Sequence, residues 1–383
     1  VTLWDSKNTT SRNIKISEVL EDKSGYIAIQ STDLSVLKKS GRGNIKFDGL
    51  KQRLLDYKGK SKETQTDILI GLAGETSKSH MKTLYDSFDL GFDMIQPYNI
   101  RLLPGTDYES EEQRRLYKIK TKFRLIFGSY GIYNNKLVFE IEESVRSTKD
   151  MSENELESFK ILHWLIYFCW NIGIFKPLLK YANIELNINP MDVLLHVLET
   201  KKNKLRELFS SMKNESTSEW FGTKKDLIAY YEDARNRNKL KEFKKLNAWW
   251  IAKLYSDNDL LNILYDDIVL CIENHSVKKY SNDVVWDELK NINSKLLSFG
   301  DLSKSEQSPI ISVHGKTIYY LNGDSRYVDK LNMKIYINRD NESAQWWDYY
   351  LDGESYSDVP INQFLSALEK GGSSRLLNSV VVQ

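Results

Sequence analysis

The sequence predicts an α/β protein whose parallel sheet is followed by a mainly helical region. In residues 1–103, short apolar stretches alternate with amphipathic ones, which is the pattern of repeated β-α units that build a parallel sheet. Beyond residue 152, charged and aromatic-rich segments show mostly helical spacing. Two stretches near the end alternate as strands do, and they indicate a small β element.

The predicted organisation is an α/β part over residues 1–150, a helical domain over 151–300 and a small α+β element over 301–383. A chain of 383 residues with 41% hydrophobic content can bury at least one sizeable core. The sequence contains no internal repeat and no low-complexity linker, so we expect a packed junction near residue 150.

Four strands are predicted in the first part, because each is an apolar run bounded by polar or turn residues. They cover residues 1–4, 26–30, 66–70 and 93–99.

Two helices are predicted between these strands. The first covers 48–58, where Asp48 can cap the first turn and Gly59 can stop the helix. The second covers 77–90, where apolar residues fall at i, i+3, i+4 and i+7 and form one stripe. Gly91 is placed to end this second helix.

The end of the chain predicts a hairpin and a closing helix. Residues 310–321 and 331–338 alternate between apolar and polar side chains, which predicts two strands. His314, Gly315 and Lys316 lie at a predicted hairpin turn within the first of these stretches. A helix over 361–370 would close the element.

Charge and apolar content exclude several classes of protein. The 54 basic and 53 acidic residues leave a net charge of +1, so no nucleic-acid role is predicted. The apolar run over 161–175 is shorter than the roughly 18 residues that span a bilayer, and it predicts a buried helix. Cys169 and Cys271 are too far apart in sequence to suggest a disulfide scaffold, and no signal peptide opens the chain. We therefore expect a cytoplasmic protein without a membrane span.

A glycine turn between a strand and a helix is the strongest local motif. In Thr-Asp-Ile-Leu-Ile-Gly-Leu-Ala-Gly-Glu-Thr, over 66–76, Gly71 and Gly74 directly follow an apolar strand. Such a turn lets the backbone approach a ligand and points N–H groups outward, so it can hold an anionic or polar cofactor. It lacks the Gly-Lys-Ser/Thr of a Walker A loop and the full G-x-G-x-x-G fingerprint. A purely structural tight turn, with Thr76 or Ser77 as helix cap, is the alternative.

The order of motifs around this turn resembles that of radical S-adenosylmethionine (SAM) enzymes. The turn at 67–76, the helix through His80 and Leu84, the Gly-Phe-Asp of 91–93 and the Leu-Leu-Pro-Gly-Thr of 102–106 occur in the family's order. Upstream, residues 28–45 resemble the fourth strand and following helix of the family's barrel, and Lys120–Arg124 and Ser147–Ser152 also look familial. The subfamily with a cobalamin-binding domain ahead of the barrel is the most similar. The resemblance covers about residues 1–200 and is strongest over 30–106.

The resemblance implies a partial TIM-like (β/α) barrel, of which this chain would supply strands three to six. The family's C-x₃-C-x₂-C loop follows the first strand and holds a [4Fe–4S] cluster by its thiolates. Cys169 and Cys271 cannot form that loop, because neither has a second cysteine nearby. We therefore expect an N-terminally truncated part of a radical SAM enzyme.

The resemblance also implies where SAM binds, at the carboxyl ends of the strands. Gln30 and Ser31 would face its ribose or methionyl part, and Arg42 would pair with its carboxylate. Asp67 would bind the ribose, Gly71 and Gly74 would lie near the adenosyl group, and Leu103 would line the adenine pocket with Tyr98 nearby. The complete set is Gln30, Ser31, Arg42, Asp67, Gly71, Gly74, Tyr98 and Leu103. For each, an ordinary structural role is the alternative: a polar strand end, a solvated arginine, a structural aspartate, a turn glycine or barrel core.

The implied parent enzyme cleaves SAM reductively to a 5′-deoxyadenosyl radical and, in this subfamily, transfers a methyl group with cobalamin. Its partners would be an electron donor such as flavodoxin or ferredoxin and a small-molecule or peptide substrate. This chain alone is expected to be inactive. The alternative is a non-catalytic nucleotide-binding or protein-interaction module. His80, His163 and His196 show no catalytic pattern and are predicted to be structural.

Overall fold

A computed structural model describes residues 19, 24–41, 49–59, 63–134, 136–242, 246–255, 257–275, 283–297, 306–339 and 379–383. The contacts group the chain into two units. Unit 1 comprises Val1–Ile166 and Ser216–Arg237, and unit 2 comprises Tyr167–Glu215 and Asn238–Gln383. The three-part division expected from the sequence stays a prediction.

The described residues fold into strands and α-helices, which are numbered in chain order. The strands are β1 (Ser24–Tyr26), β2 (Glu63–Ile70), β3 (Met94–Asn99), β4 (Lys120–Tyr133), β5 (Lys136–Ser147), β6 (Glu306–Gln307), β7 (Ile311–Val313), β8 (Met333–Arg339) and β9 (Ser379–Val382). The helices are α1 (Leu34–Lys39), α2 (Leu50–Gly59), α3 (Ser77–Leu90), α4 (Glu111–Tyr117), α5 (Glu153–Leu165), α6 (Lys176–Leu186), α7 (Pro190–Leu198), α8 (Asn203–Ser218), α9 (Lys224–Glu232), α10 (Lys239–Glu242), α11 (Leu246–Tyr255), α12 (Asn258–His275), α13 (Val284–Leu297) and α14 (Gly315–Asn322).

A parallel three-stranded sheet forms the centre of unit 1. Its order is β1-β2-β3, and both pairs are parallel, so the predicted α/β class with parallel strands is confirmed. Alternate residues of β2 are buried, and α2 and α3 contact this strand. The described residues show three parallel strands, and these strands do not form a closed barrel. The predicted strand over 1–4 lies outside the described residues.

Helix α3 confirms the predicted helix over 77–90 at both ends. Thr76 and Ser79 form a capping box, in which the Thr76 side chain accepts from the Ser79 backbone and Ser79 accepts from Thr76. Gly91 ends the helix in the left-handed conformation, with φ of 83°. The helix over 48–58 is also confirmed as α2, although Asp48 lies outside the described residues.

A long antiparallel hairpin, β4 and β5, follows the sheet and was not predicted. Its strands pair from Lys120 with Ser147 to Tyr133 with Lys136. The loop after β3 attaches to it, because the Leu102 N–H donates to Glu143 O at 2.8 Å and the Val145 N–H donates to Ile100 O at 2.9 Å. This connection places the hairpin beside the carboxyl end of β3.

Unit 2 contains helices and a small antiparallel sheet in which β8 pairs with β6, β7 and β9. The predicted strand over 331–338 is confirmed as β8. The predicted hairpin turn at His314 to Lys316 is wrong, because β7 ends at Val313 and α14 begins at Gly315. Glu288 explains the difference: its Oε2 accepts from the His314 N–H at 2.9 Å and from the Thr317 hydroxyl, so it satisfies donors at the helix start. The predicted helix over 361–370 lies outside the described residues.

The apolar run over 161–175 is buried, as predicted. It comprises the end of α5 and a π-helical turn, Ile166–Asn171, and Leu162, Ile166 and Cys169 have almost no exposed surface. Within the described ranges, no single helix is long and apolar enough to cross a membrane. The segments Glu153–Asn171 and Lys176–Leu186 reach that length and composition only as a pair, and the pair is bent by 90°.

Candidate functional site

The carboxyl ends of the three parallel strands form the candidate site in unit 1. Gln30 pairs with Ile68 in a parallel bridge, and its backbone lies between the N–H of Leu69 and the carbonyl of Asp67. Gly71 follows the last residue of β2. That residue, Ile70, aligns with Asn99 at the end of β3. Three separate segments of the sequence therefore meet at one edge of the sheet, where α/β folds generally bind ligands.

Gly71 and Gly74 both require glycine geometry. Their φ angles are +95° and +79°, in the left-handed region that other residues rarely adopt. A Cβ on Gly71 would lie 3.2 Å from Cγ1 of Val145 on the hairpin. A Cβ on Gly74 would lie 2.5 Å from the flexible Lys39 side chain. The turn is therefore tightly built, which the structural alternative also required.

Glu75 holds this turn from the inside, and the sequence analysis did not identify it. Its side chain is fully buried, and Oε2 accepts from the Gly71 N–H at 2.7 Å and the Leu72 N–H at 3.2 Å. These two N–H groups do not point outward as an anion-binding loop would require. The expectation of an outward-facing N–H cradle is wrong for Gly71 and Leu72. A carboxylate four residues after the first turn glycine was the available sequence signal.

Two histidines extend the hydrogen bonding that begins at Glu75. The Nδ1 of His80 lies 2.9 Å from Glu75 Oε1, and its Nε2 lies 2.9 Å from the Nε2 of His163 on α5. Glu75 and His80 are both 0% exposed. Burial, followed by the proximity of His80, holds the pKa of His163 well below its ordinary value. His163 is therefore neutral over the physiological pH range.

Gln30 and Asp67 carry buried acceptor atoms that no donor satisfies within the described part of the chain. These atoms are Gln30 Oε1 and Asp67 Oδ1. The other carboxylate oxygen of Asp67 accepts from the Tyr26 hydroxyl. Burial raises the pKa of the Asp67 carboxyl, and the Tyr26 hydrogen bond opposes that rise. Burial and the Asp67 carboxylate also raise the pKa of Tyr26 far above its ordinary value.

Asn99 is a further polar residue at this edge, and the sequence analysis did not identify it. Its Nδ2 donates to Val145 O at 3.0 Å, which ties the end of β3 to the hairpin. Its Oδ1 is buried and has no hydrogen-bond partner among the described residues. A polar residue at the end of a predicted buried strand was the signal that could have indicated it. Since a buried unsatisfied acceptor costs about 1–3 kcal/mol, the acceptors of Gln30 and Asn99 near this edge, and that of Asp67 three residues before the end of β2, require an explanation.

The remaining predicted site residues are placed differently. Ser31 is fully buried, and its hydroxyl lies 3.3 Å from that of Thr83 on α3, so it faces this helix. Tyr98 is 44% exposed, and its hydroxyl donates to Gln96. Leu103 is 59% exposed, in the loop after β3, and therefore does not belong to the core. Arg42 lies outside the described residues.

The two cysteines do not fit the ligand set of an iron–sulfur cluster. Burial raises the pKa of Cys271 to about 11 and that of Cys169 further, whereas a cluster binds thiolates. Both residues lie in unit 2 and are free thiols. In the described ranges, no group of three or more His, Cys, Asp or Glu side chains is arranged to hold a metal ion.

A separate charged cluster fixes the hairpin to the rest of unit 1. Arg124 on β4 donates to Glu142 and, at 3.0 Å, to Glu219. The ring of Trp220 lies between two guanidinium groups, 4.8 Å from that of Arg124 and 4.6 Å from that of Arg146. Most of these charges are paired and largely buried, so we assign the cluster a structural role.

Comparison with known proteins gives a distant similarity. No family model matches the chain. The chain is 26% identical over 121 residues to the cobalamin-dependent radical SAM methyltransferase TokK of Streptomyces tokunonensis. The similarity covers 30% of this chain and 18% of that methyltransferase. The chain thus matches less than a fifth of that relative, and the similarity agrees with the family that the motif order resembles.

Proposed function

We propose that unit 1 binds SAM at the carboxyl edge of β1, β2 and β3, and that the chain is part of a radical SAM protein related to cobalamin-dependent methyltransferases. One observation supports the proposal: Gln30 and Asp67 carry buried acceptors without donors on adjacent parallel segments, because Gln30 pairs with Ile68, the residue that follows Asp67 in β2. The distant similarity to a methyltransferase of this type supports the same assignment.

The chemistry of these acceptors favours a ligand that supplies hydrogen-bond donors. A carboxylate oxygen and an amide oxygen accept hydrogen bonds, and the ribose hydroxyls and the ammonium group of SAM donate them. The half-buried Asp67 carboxylate also suits a cationic ligand better than a phosphate. ATP, with its polyphosphate, is disfavoured because Glu75 already occupies the N–H groups of Gly71 and Leu72.

The apolar side chains at the edge suit the adenine ring. Tyr98 and Leu103 are both more than two-fifths exposed, so the Tyr98 ring can stack on a base and the Leu103 side chain can contact it. In this proposal Asp67 and Gln30 bind the ribose or the methionyl part, and Tyr98 and Leu103 contact the adenine. Gly71 and Gly74 keep the backbone close to the ligand without a Cβ.

The residues of this chain do not by themselves support the iron–sulfur and cobalamin chemistry of the family. Because the two buried cysteines do not fit a cluster, no reaction step is assigned to this chain. Cleavage of SAM, methyl transfer, an electron donor such as flavodoxin or ferredoxin and a small-molecule or peptide substrate are proposed for the complete protein by resemblance alone.

A second candidate is a non-catalytic nucleotide-binding module. The same buried cysteines favour it, since such a module would use the edge without redox chemistry. It predicts that adenosine binds as tightly as SAM, because the methionyl part would then find no partner.

Titration of the protein with SAM, adenosine and ATP tests these proposals. We expect SAM to bind more tightly than adenosine, and Asp67→Asn to weaken SAM binding by about fivefold to tenfold, since it removes a charge-assisted acceptor. Asp107→Asn, which changes an exposed aspartate of the same unit, is the matched control and should bind SAM normally. Equal affinities for SAM and adenosine would support the second candidate, and no binding of any of the three would overturn both.

A further inference from the structure

We infer that Glu75, His80 and His163 form a hydrogen-bonded chain that positions the Gly71 turn, with each hydrogen bond directed toward the Glu75 carboxylate. The inference rests on the proposed SAM site, because positioning of this turn matters for a ligand at the edge. None of the three side chains is assigned a contact with SAM. They are positioning residues.

The direction of the chain follows from its first member. Glu75 Oε2 accepts from two backbone N–H groups, which is the surrounding that an ionised carboxylate prefers. Its other oxygen, Oε1, can then only accept, so Nδ1 of His80 must carry the hydrogen. A His80 ring that carries a single hydrogen, on Nδ1, has a bare Nε2.

The second histidine completes the chain. The two Nε2 atoms are 2.9 Å apart, so one hydrogen lies between them, and a His80 with its single hydrogen on Nδ1 leaves His163 to supply it. The low pKa of His163 is consistent with a neutral donor in that role. Lys160, three residues earlier on α5, also lowers the pKa of His163, and its charge disfavours a second proton there.

The surroundings hold the rings in place. Phe159 packs edge-on against His80, with ring centroids 4.7 Å apart, and its ring stacks on His163 at 5.8 Å. On the opposite side of the turn, the Tyr108 hydroxyl donates to Gly71 O at 3.0 Å. The Gly71 peptide groups are thus held by Glu75 and by Tyr108, and α5 is linked to the turn through the hydrogen bonds of His80. A turn held in this way is preorganised for a ligand.

Histidine tautomers provide the direct test. The chain has five histidines, so a ¹⁵N-histidine-labelled sample gives a simple long-range ¹H–¹⁵N spectrum. We expect the hydrogen on Nδ1 for His80 and on Nε2 for His163, with His163→Asn used for assignment. The opposite tautomer for either ring overturns the inference.

Two substitutions of Glu75 separate positioning from simple burial. In Glu75→Gln, the amide oxygen can accept from the turn while its NH₂ donates to His80. His80 should then carry its hydrogen on Nε2, His163 should carry it on Nδ1, and SAM affinity should remain within about twofold. In Glu75→Ala, amide exchange at Gly71 and Leu72 should rise by at least about tenfold and SAM affinity should fall about fivefold. If Glu75→Ala does not fold, the tautomer exchange in Glu75→Gln still decides.

The control and the outcomes distinguish this inference from the SAM proposal. His196→Asn changes an exposed histidine of α7 and should leave tautomers, amide exchange and SAM affinity unchanged. Unaltered tautomers in Glu75→Gln would contradict the hydrogen-bonded chain of Glu75, His80 and His163 even if SAM binds. If the protein shows the expected tautomers but binds no SAM, the hydrogen-bonded chain stands and the SAM site is rejected.

Discussion

The backbone N–H of Gly71 lies 2.7 Å from Oε2 of Glu75, four residues further along the chain. In phosphate-binding loops, N–H groups at such a turn point toward the ligand. In this protein, the chain's own carboxylate occupies that position. In the proposed SAM site, ligand recognition would therefore depend on side chains, chiefly those of Gln30 and Asp67, and the turn would provide shape.

Gly71→Ala should destabilise the protein by about 1–3 kcal/mol, because alanine is strained at a φ of +95° and its Cβ would press on Val145. Urea unfolding measures the change. Gly222→Ala is the matched control, because a Cβ there meets no atom within 4 Å and its φ is not in the left-handed region. Equal stability of the two variants would contradict the strain at Gly71.

Tyr26→Phe should raise the pKa of Asp67 further, because the Tyr26 hydroxyl is the group that lowers it. The folded pKa of Asp67 lies above its unfolded value, so the folded state binds the proton more strongly. Stability therefore falls as the pH rises from the ordinary value of 3.8 through the folded pKa, and Tyr26→Phe should widen that window. A carboxyl ¹³C titration and unfolding at several pH values measure both effects. Tyr133→Phe, at an exposed tyrosine, should change neither.

Arg124→Met should destabilise unit 1 by about 2–4 kcal/mol, because Glu142 and Glu219 are mostly buried and would lose their shared partner. The loss should appear in the free energy of unfolding. Arg235→Met breaks an exposed pair with Asp233, and solvent screening should make its effect unmeasurable. A similarly small loss of unfolding free energy in Arg124→Met would show that this charged cluster does not stabilise unit 1.

Anaerobic treatment of this chain with iron and sulfide should give no stable [4Fe–4S] cluster. Its two cysteines are buried free thiols with raised pKa values, and three thiolates are needed. Visible absorbance after desalting measures the outcome, and thiol labelling with and without denaturant checks the burial. Stoichiometric cluster absorbance that survives desalting would refute this prediction.

The sequence predicted those parts of the fold that depend on local signals. Helix α3 is such a case, because its cap at Thr76 and its stop at Gly91 are both within the segment itself. The hairpin of β4 and β5 was missed because its strands carry many charged residues and their stability comes from pairing. Helix α14 was mistaken for a strand because the acceptor at its start, Glu288, is 26 residues away in sequence.

The candidate site was predictable to the level of segments. The resemblance placed Gln30, the Gly71 turn and Leu103 at the carboxyl edge of adjacent parallel strands, with Asp67 lower on its strand. The structure pairs Gln30 with Ile68, and it pairs Ile70, just before Gly71, with Asn99 at the end of β3. The role of Glu75 was not visible, because a glutamate after a glycine turn reads as an exposed helix start. Through His80, Glu75 is linked to His163, which lies on a different helix far along the chain, and no local pattern encodes that contact.

Gln30→Gly should change stability and SAM affinity in opposite directions. Gln30 adopts a φ of +66°, which costs a non-glycine residue about 1 kcal/mol, and its Oε1 is buried without a partner among the described residues. Glycine removes both costs, so the free energy of unfolding should rise by about 1 kcal/mol while SAM binding weakens several-fold. Lys118→Gly, at a φ of 49° in an exposed helix cap of the same unit, should be no less stable than wild type and bind SAM normally. Greater stability with unchanged SAM affinity in Gln30→Gly would mean that Gln30 is strained for a reason other than SAM. Lower stability of Gln30→Gly would mean that Gln30 Oε1 has a hydrogen-bond partner within the folded chain.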